Sequence, residues 1–163
     1  KILMTTAEYN HCVEQHADNV YRFVVKNIGN EQVAKDIVQE VFTKMWEKAS
    51  TIAYQKSKSY LFTAAYHTLI DTVRYQNRFA SLETSPEQAY EPSNYDGIKG
   101  ILEEALNRLP PVQKAVVMLR DYEGYSYAEI GEITGLSESQ VKVYIFRARQ
   151  SLKNYLVTID NLI

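Results

Sequence analysis

Apolar residues recur at helical spacing along most of the chain. Val13, Ala17, Val20, Val24 and Ile28 follow at intervals of 4, 3, 4 and 4, one face of a long amphipathic helix. Thr5-Thr6-Ala7-Glu8 ahead of them is a capping-box pattern; Gly29 is a good stop, and Asn30 a good N-cap for a second helix. That helix carries Val33, Ile37, Val41 and Met45 on one side, flanked by Ala34, Val38 and Phe42, and fades around Ala49-Ser50-Thr51. Residues 51–59 are polar and basic without a clear period, which predicts a loop. A third helix follows, with Leu61, Ala65, Leu69 and Val73 inward, ending near Phe79.

The pattern then breaks. Residues 80–97 hold two Pro and the acids Glu83, Glu87, Glu91 and Asp96 with little to bury, the composition of a flexible linker. Beyond it come shorter helices: one on Ile98, Leu102, Ala105, Leu106 and Leu109, stopped at Pro110, and one starting at Pro111 with Val112, Val116 and Leu119 inward. Gly124 closes that helix. Ser126-Tyr127-Ala128-Glu129 and Ser137-Glu138-Ser139-Gln140 are two further capping boxes, with a helix over 127–134 between them that ends at Gly135. The last helix buries Val141, Ile145, Ala148 and Leu152. The expectation is an all-α chain of two small helical domains: an N-terminal bundle over 1–79 and a helix-turn-helix domain of four helices over 98–163, joined by the linker 80–97.

A short capped helix, a glycine turn and a second capped helix form the layout of a helix-turn-helix. Gly135 suits the positive φ of the turn. Ser139, Gln140, Lys142 and Val143 point away from the packing face near the start of the last helix and could enter a major groove. Gln140 suits adenine, Lys142 guanine or phosphate, and Arg147 and Arg149 backbone phosphates. On the third helix, Tyr60, His67, Asp71, Arg74 and Arg78 share one face at intervals of 7, 4, 3 and 4, with Lys56 and Lys58 extending the charge. An aromatic at one end and arginines at the other suit a strand of nucleic acid. For both sets the competing reading is an ordinary solvated basic face.

Charge sharpens this picture. The net charge of −2 is wrong for a DNA binder taken globally, yet residues 1–79 hold ten Lys/Arg against eight Asp/Glu. Residues 138–155 carry Lys142, Arg147, Arg149 and Lys153 against Glu138 alone. The single Cys12 fits a reducing cytoplasm, and no apolar run approaches the ~20 residues of a membrane span. His11, Cys12 and His16 on one helix cannot all face one ion, so neither a metal site nor a cofactor is expected. No phosphate loop, nucleophile elbow or paired-carboxylate arrangement points to an enzyme. Residues 1–79 lack the receiver or effector pattern that a conventional transcription regulator needs.

Particular segments carry a family likeness. Asp36-Ile37-Val38-Gln39-Glu40-Val41-Phe42-Thr43-Lys44-Met45-Trp46 resembles the D-x-V-Q-E-x-F-x-x-x-W segment of extracytoplasmic-function (ECF) sigma factors, in the sigma-70 family. Tyr60-Leu61-Phe62 through Ile70-Asp71-Thr72-Val73-Arg74 is similar to their minus-ten reader. Leu109-Pro110, Glu123 to Ile130, and Val141-Lys142 with Arg147-Ala148-Arg149 resemble their minus-thirty-five reader. The tyrosine-rich helices resemble homologues from the Bacteroidetes group.

The resemblance implies a sigma factor that binds core RNA polymerase and directs promoter recognition, DNA melting and initiation, with no catalysis of its own. Asp36, Gln39, Glu40, Phe42 and Lys44 would dock on the clamp helices of the beta-prime subunit, with Trp46 in the core. Promoter DNA would be held as duplex at the helix-turn-helix and as melted strand at the third helix, where the preceding loop holds a flipped base. The linker would thread toward the polymerase interior. An anti-sigma protein, often membrane-bound, would be a further partner. His67 stands where the family usually has Asn, Gly131 where it has Ala, and Val143-Tyr144 where it has Ser-Arg.

Overall fold

A computed structural model describes residues 4–82 and 97–162. Among the described residues all regular structure is helical, with seven α-helices, two 3-10 turns and no strand. No described helix is long and apolar enough to cross a membrane. Packing divides the chain into two compact units, one running to Thr72 and including Gly131–Leu136, the other made of Val73–Ile130 and Ser137–Ile163.

In the first unit, α1 spans Thr6–Ile28 and α2 spans Glu31–Glu47. The capping box at Thr5 forms: Glu8 N–H donates to Thr5 Oγ1 at 3.1 Å, and Thr5 N–H to Glu8 Oε1 at 3.0 Å. Gly29 stops α1 at φ 76°, left-handed backbone that a residue with a β-carbon resists. Asn30 Oδ1 accepts from Val33 N–H at 3.0 Å to start α2. The inward face of α1 is Cys12, Val20, Phe23 and Val24, and that of α2 is Ala34, Ile37, Val41, Phe42 and Met45. Val20 and Val24 of the predicted stripe are buried, while Val13, Ala17 and Ile28 are only half-buried and Cys12 and Phe23 complete the inward face. Tyr9 Oη donates to the Phe42 carbonyl at 2.9 Å, tying α1 to α2.

Residues 51–59 are more ordered than their composition predicts. Two 3-10 turns, Ala49–Thr51 and Tyr54–Lys56, lead into α3 over Ser57–Leu82. Buried Ser57 starts α3, its hydroxyl donating to the Tyr54 carbonyl at 2.6 Å. Leu61, Phe62, Ala65, Tyr66, Leu69 and Ile70 pack inward, with Phe62 against Phe23 at 5.6 Å between ring centroids. Each large apolar side chain so buried contributes about 1.5–3 kcal/mol. The helix continues past Phe79 through Ala80-Ser81-Leu82, since no Gly or Pro interrupts it before Pro86. Residues 83–96, most of the predicted linker, lie outside the described residues.

The second unit holds α4 (Ile98–Asn107), α5 (Pro111–Asp121) and α7 (Glu138–Leu162), with α7 packed on both α4 and α5. Pro111 takes the first helical turn, as predicted from its spared N–H. Ala115, Val116, Val117, Met118 and Leu119 on α5 and Val141, Ile145 and Ala148 on α7 are buried. Ile98 is not a core residue: it is 83% exposed, because in the first turn after Gly97 nothing described covers it. Lys114 is buried on α5, its Nζ donating to Asn107 Oδ1 at 2.7 Å. Burial pushes its ammonium down to about 8, against the opposing pull of Glu103.

Candidate nucleic-acid interface

Two local devices aim the start of α7. α6 spans Tyr127–Thr134 behind a formed capping box, with Glu129 N–H donating to Ser126 Oγ at 3.1 Å and Ser126 N–H to Glu129 Oε1 at 3.0 Å. Gly135 turns the chain at φ 79°, and Ser137 caps α7, accepting from Gln140 N–H at 3.1 Å. Beyond these caps Ser139, Gln140, Lys142, Val143 and Arg147 are all exposed, as a groove-reading surface requires.

Their pairings change the predicted roles. Gln140 Oε1 already accepts from Ser137 N–H at 3.0 Å, so bidentate contact with adenine requires it to give up the cap. Lys142 sits 3.7 Å from Glu138 and 5.6 Å above the Tyr127 ring; its charge stays exposed. Arg149 is held by Asp121 at the end of α5, Nε donating to Oδ2 at 3.2 Å, and this pair raises its pKa further. Arg147 is exposed and has no ion pair among the described residues, which leaves its guanidinium more available to an anion than that of Arg149. The sequence pattern missed Phe146, which is 67% exposed one turn beyond Val143. Together Val143 and Phe146 make this part of α7 apolar, the chemistry that meets a thymine methyl group.

On α3 the predicted stripe is open to solvent. Lys56 in the second 3-10 turn and Lys58, His67, Asp71, Arg74 and Arg78 on the helix are exposed. Tyr60 is half-buried, and burial raises its phenol pKa, so it stays neutral. His67 is exposed, its ring edge-on to that of buried Tyr66 with centroids 5.2 Å apart. Asp71 is the one acid of the stripe, a hydrogen-bond acceptor between cations.

Four of the five α2 candidates share one surface, and Phe42 does not. Asp36, Gln39, Glu40 and Lys44 line one shallow groove with Thr43 and Glu47. Lys44 pairs with Glu40 at 3.1 Å, and Gln32 Nε2 donates to Asp36 Oδ1 at 3.0 Å. Phe42 is buried, so it supports this face from beneath rather than meeting a partner. Trp46 is the reverse. Expected in the core, it is 50% exposed, because one residue beyond Met45 the helix has turned outward, and it packs edge-on to Tyr9 at 4.9 Å.

Residues 12–79 match the family model described as sigma-70 region 2, and residues 99–152 the one described as sigma-70, region 4. The ECF RNA polymerase sigma factor SigE of Mycolicibacterium smegmatis is 32% identical over 160 residues, which cover 91% of this chain and 61% of that protein. RNA polymerase sigma factor SigV of Bacillus subtilis is 29% identical over 151 residues, 91% of each. The chain thus spans about three-fifths of the first relative and nine-tenths of the second. In fold it is similar to the sigma factor RpoE of Bartonella quintana, solved in complex with the anti-sigma factor NepR (TM-score 0.75, 22% identity, 91% of this chain and 96% of that one). A second likeness is to CnrH, solved with the cytosolic domain of CnrY (TM-score 0.69, 20% identity, 92% and 88%). With both regions matched in chain order and relatives of this kind, the chain belongs to the sigma-70 family of RNA polymerase sigma factors, in its extracytoplasmic-function subfamily.

Proposed function

We propose that this chain binds core RNA polymerase and directs it to promoters, recognising duplex at the minus-thirty-five element and holding the opened strand at the minus-ten element. The carrying observation is that regions 2 and 4 of the family occur in order, and the residues matching their readers are exposed on α3 and at the start of α7. It works by binding energy, with no catalysis of its own. On this reading residues 1–79 serve polymerase docking and minus-ten recognition, residues 80–97 thread as an acidic tether, and residues 98–163 read the minus-thirty-five element.

The α2 groove of Asp36, Gln39, Glu40 and Lys44 supplies both charge signs for the beta-prime clamp helices. Lys56, Lys58, Arg74 and Arg78 would pair with phosphates of the melted strand, while Tyr60, His67 and Asp71 would meet its bases. At α7, Lys142 and Arg147 position the duplex, Ser139 and Gln140 contribute polar contacts, and Val143 and Phe146 select for thymine methyls. Arg149 first has to leave Asp121 to join them. An anti-sigma protein, cytoplasmic or tethered to a membrane, is the expected regulator, since the fold neighbour RpoE was solved with one. The abundance of tyrosine, thirteen residues, is the ground for a Bacteroidetes-type origin.

Co-elution with core polymerase tests the docking half of this reading. The intact chain is expected to co-elute with a bacterial core enzyme; failure to bind any core enzyme contradicts it.

A further inference from the structure

Three cations of the second unit converge on one ring. Tyr127, the first residue of α6, has the Arg120 guanidinium 4.7 Å and the Lys142 ammonium 5.6 Å from its ring centroid, and its phenol adds to the hold on Arg149. Lys142 and Arg149 lie seven residues apart, two turns along one face of α7. Such a cluster raises the positive potential on this side of α7, and two acids answer it unequally. Glu138 meets Lys142 through Oε1 at 3.7 Å, one turn away on the same helix. Asp121, the last residue of α5, grips Arg149 with both oxygens: Nε donates to Oδ2 at 3.2 Å, and a terminal nitrogen donates to Oδ1. The Arg149 and Asp121 side chains are 48% and 41% exposed, so water and ions reach the pair.

The fold does not need this pair. α7 is packed on α5 with Val141, Ile145 and Ala148 buried, and an exposed ion pair adds little to such a contact. A carboxylate forked onto a guanidinium has the geometry of a phosphate contact, so Asp121 occupies the donors that a DNA phosphate would take. Duplex of the wrong sequence is bound almost wholly through its phosphates, loosely and in many registers. A phosphate passing in that way does not displace a two-oxygen grip, whereas one held against α7 by base contacts does. We propose that Asp121 is a specificity-determining residue: it withholds Arg149 from duplex of the wrong sequence and releases it where the start of α7 is seated in the groove. This rests on the reading of α7 as the duplex reader, and it adds a residue outside the segments that carry the family likeness. An acid that weakens binding everywhere but at the seated site widens the gap between promoter and bulk DNA.

The test uses the intact chain at low salt and two labelled duplexes, one of random sequence and one that wild type itself enriches from a random pool. Asp121→Asn is expected to bind random duplex roughly threefold more tightly, with a salt slope steeper by about one, as for one added phosphate contact. The enriched duplex should gain less, so the preference for it falls. Arg149→Lys keeps the charge but loses the two-oxygen grip, and it is expected to gain on random duplex as well. Should Asp121→Asn not fold, Arg149→Lys decides the matter alone. Asp160→Asn makes the same charge change at an exposed position of α7 and should gain little. An Asp121→Asn chain that binds random duplex no more tightly than wild type overturns the proposal. So does an equal gain on both duplexes, an equal gain from Asp160→Asn, or failure of wild type to enrich any sequence. Co-elution with core polymerase reads the other claim. A chain that shows these duplex effects yet binds no core enzyme keeps this role of Asp121 and sinks the sigma-factor reading; one that directs start sites without them does the opposite.

Discussion

Lys114 shows how one residue ties burial to pH. Its ammonium is out of water on α5, with a pKa pushed down to about 8 from 10.5. A lowered folded-state pKa means that between pH 8 and 10.5 the unfolded chain binds more protons, so stability rises with pH across that window. Below about pH 8 the cost of the buried charge is fully present. Lys114→Met removes that charge at similar volume and is expected to stabilise the chain by about 1–2 kcal/mol at pH 7, since one pK unit corresponds to roughly 1.4 kcal/mol. Urea unfolding at pH 7 and pH 10 checks this: the advantage should shrink at the higher pH, and a constant advantage contradicts the assignment. At the DNA surface, the apolar pair Val143 and Phe146 makes thymine methyls the expected determinant. Replacing dT by dU in the minus-thirty-five element removes single methyl groups and should cost about 0.8 kcal/mol for each one read. Phe146→Ala should blunt that sensitivity; holoenzyme binding to the substituted promoters measures both.

At the scale of elements, much was legible because the signals are local. Thr5 with Glu8, Ser126 with Glu129 and Ser137 with Gln140 all form, since a capping box needs only residues three apart. Gly29 and Gly135 take the predicted left-handed turns. Ser126→Ala and Ser137→Ala should each cost about 1 kcal/mol in thermal or urea unfolding. What the pattern did not reveal depends on residues distant in the chain. Tyr9 of α1 packs edge-on to Trp46 and bonds the Phe42 carbonyl, contacts between distant residues, and Ile98 is exposed for want of a neighbour among the described residues. Tyr75, Phe79 and Phe146 are exposed, which periodicity does not reveal, because it places a residue on a face without saying what covers it. The sequence named the candidate residues and their faces but not their pairings. The bond of Gln140 to Ser137 and that of Arg149 to Asp121 join partners 3 and 28 residues apart, and only the second is hidden from local reading. The α2 groove yields a sharper expectation: Glu40→Lys reverses an exposed charge there and should weaken core-polymerase co-elution at least tenfold while leaving the melting temperature nearly unchanged.

For the whole molecule, the proposed readers are the cationic faces of α3 and α7, and the segment between them in sequence carries Glu83, Glu87, Glu91 and Asp96. Changing those four acids to Ala should alter early RNA synthesis more than affinity for core polymerase; equal losses in both contradict a role for them inside the enzyme. Salt should weaken promoter binding steeply, because both readers exchange counterions for phosphates. Reconstituted run-off transcription with core enzyme and fragments of the source genome is the most direct measurement. Chain-dependent start sites sharing two upstream sequence blocks are expected, lost when Arg74 and Lys142 are both changed to Glu. Start sites identical with and without the chain would contradict promoter direction as its function.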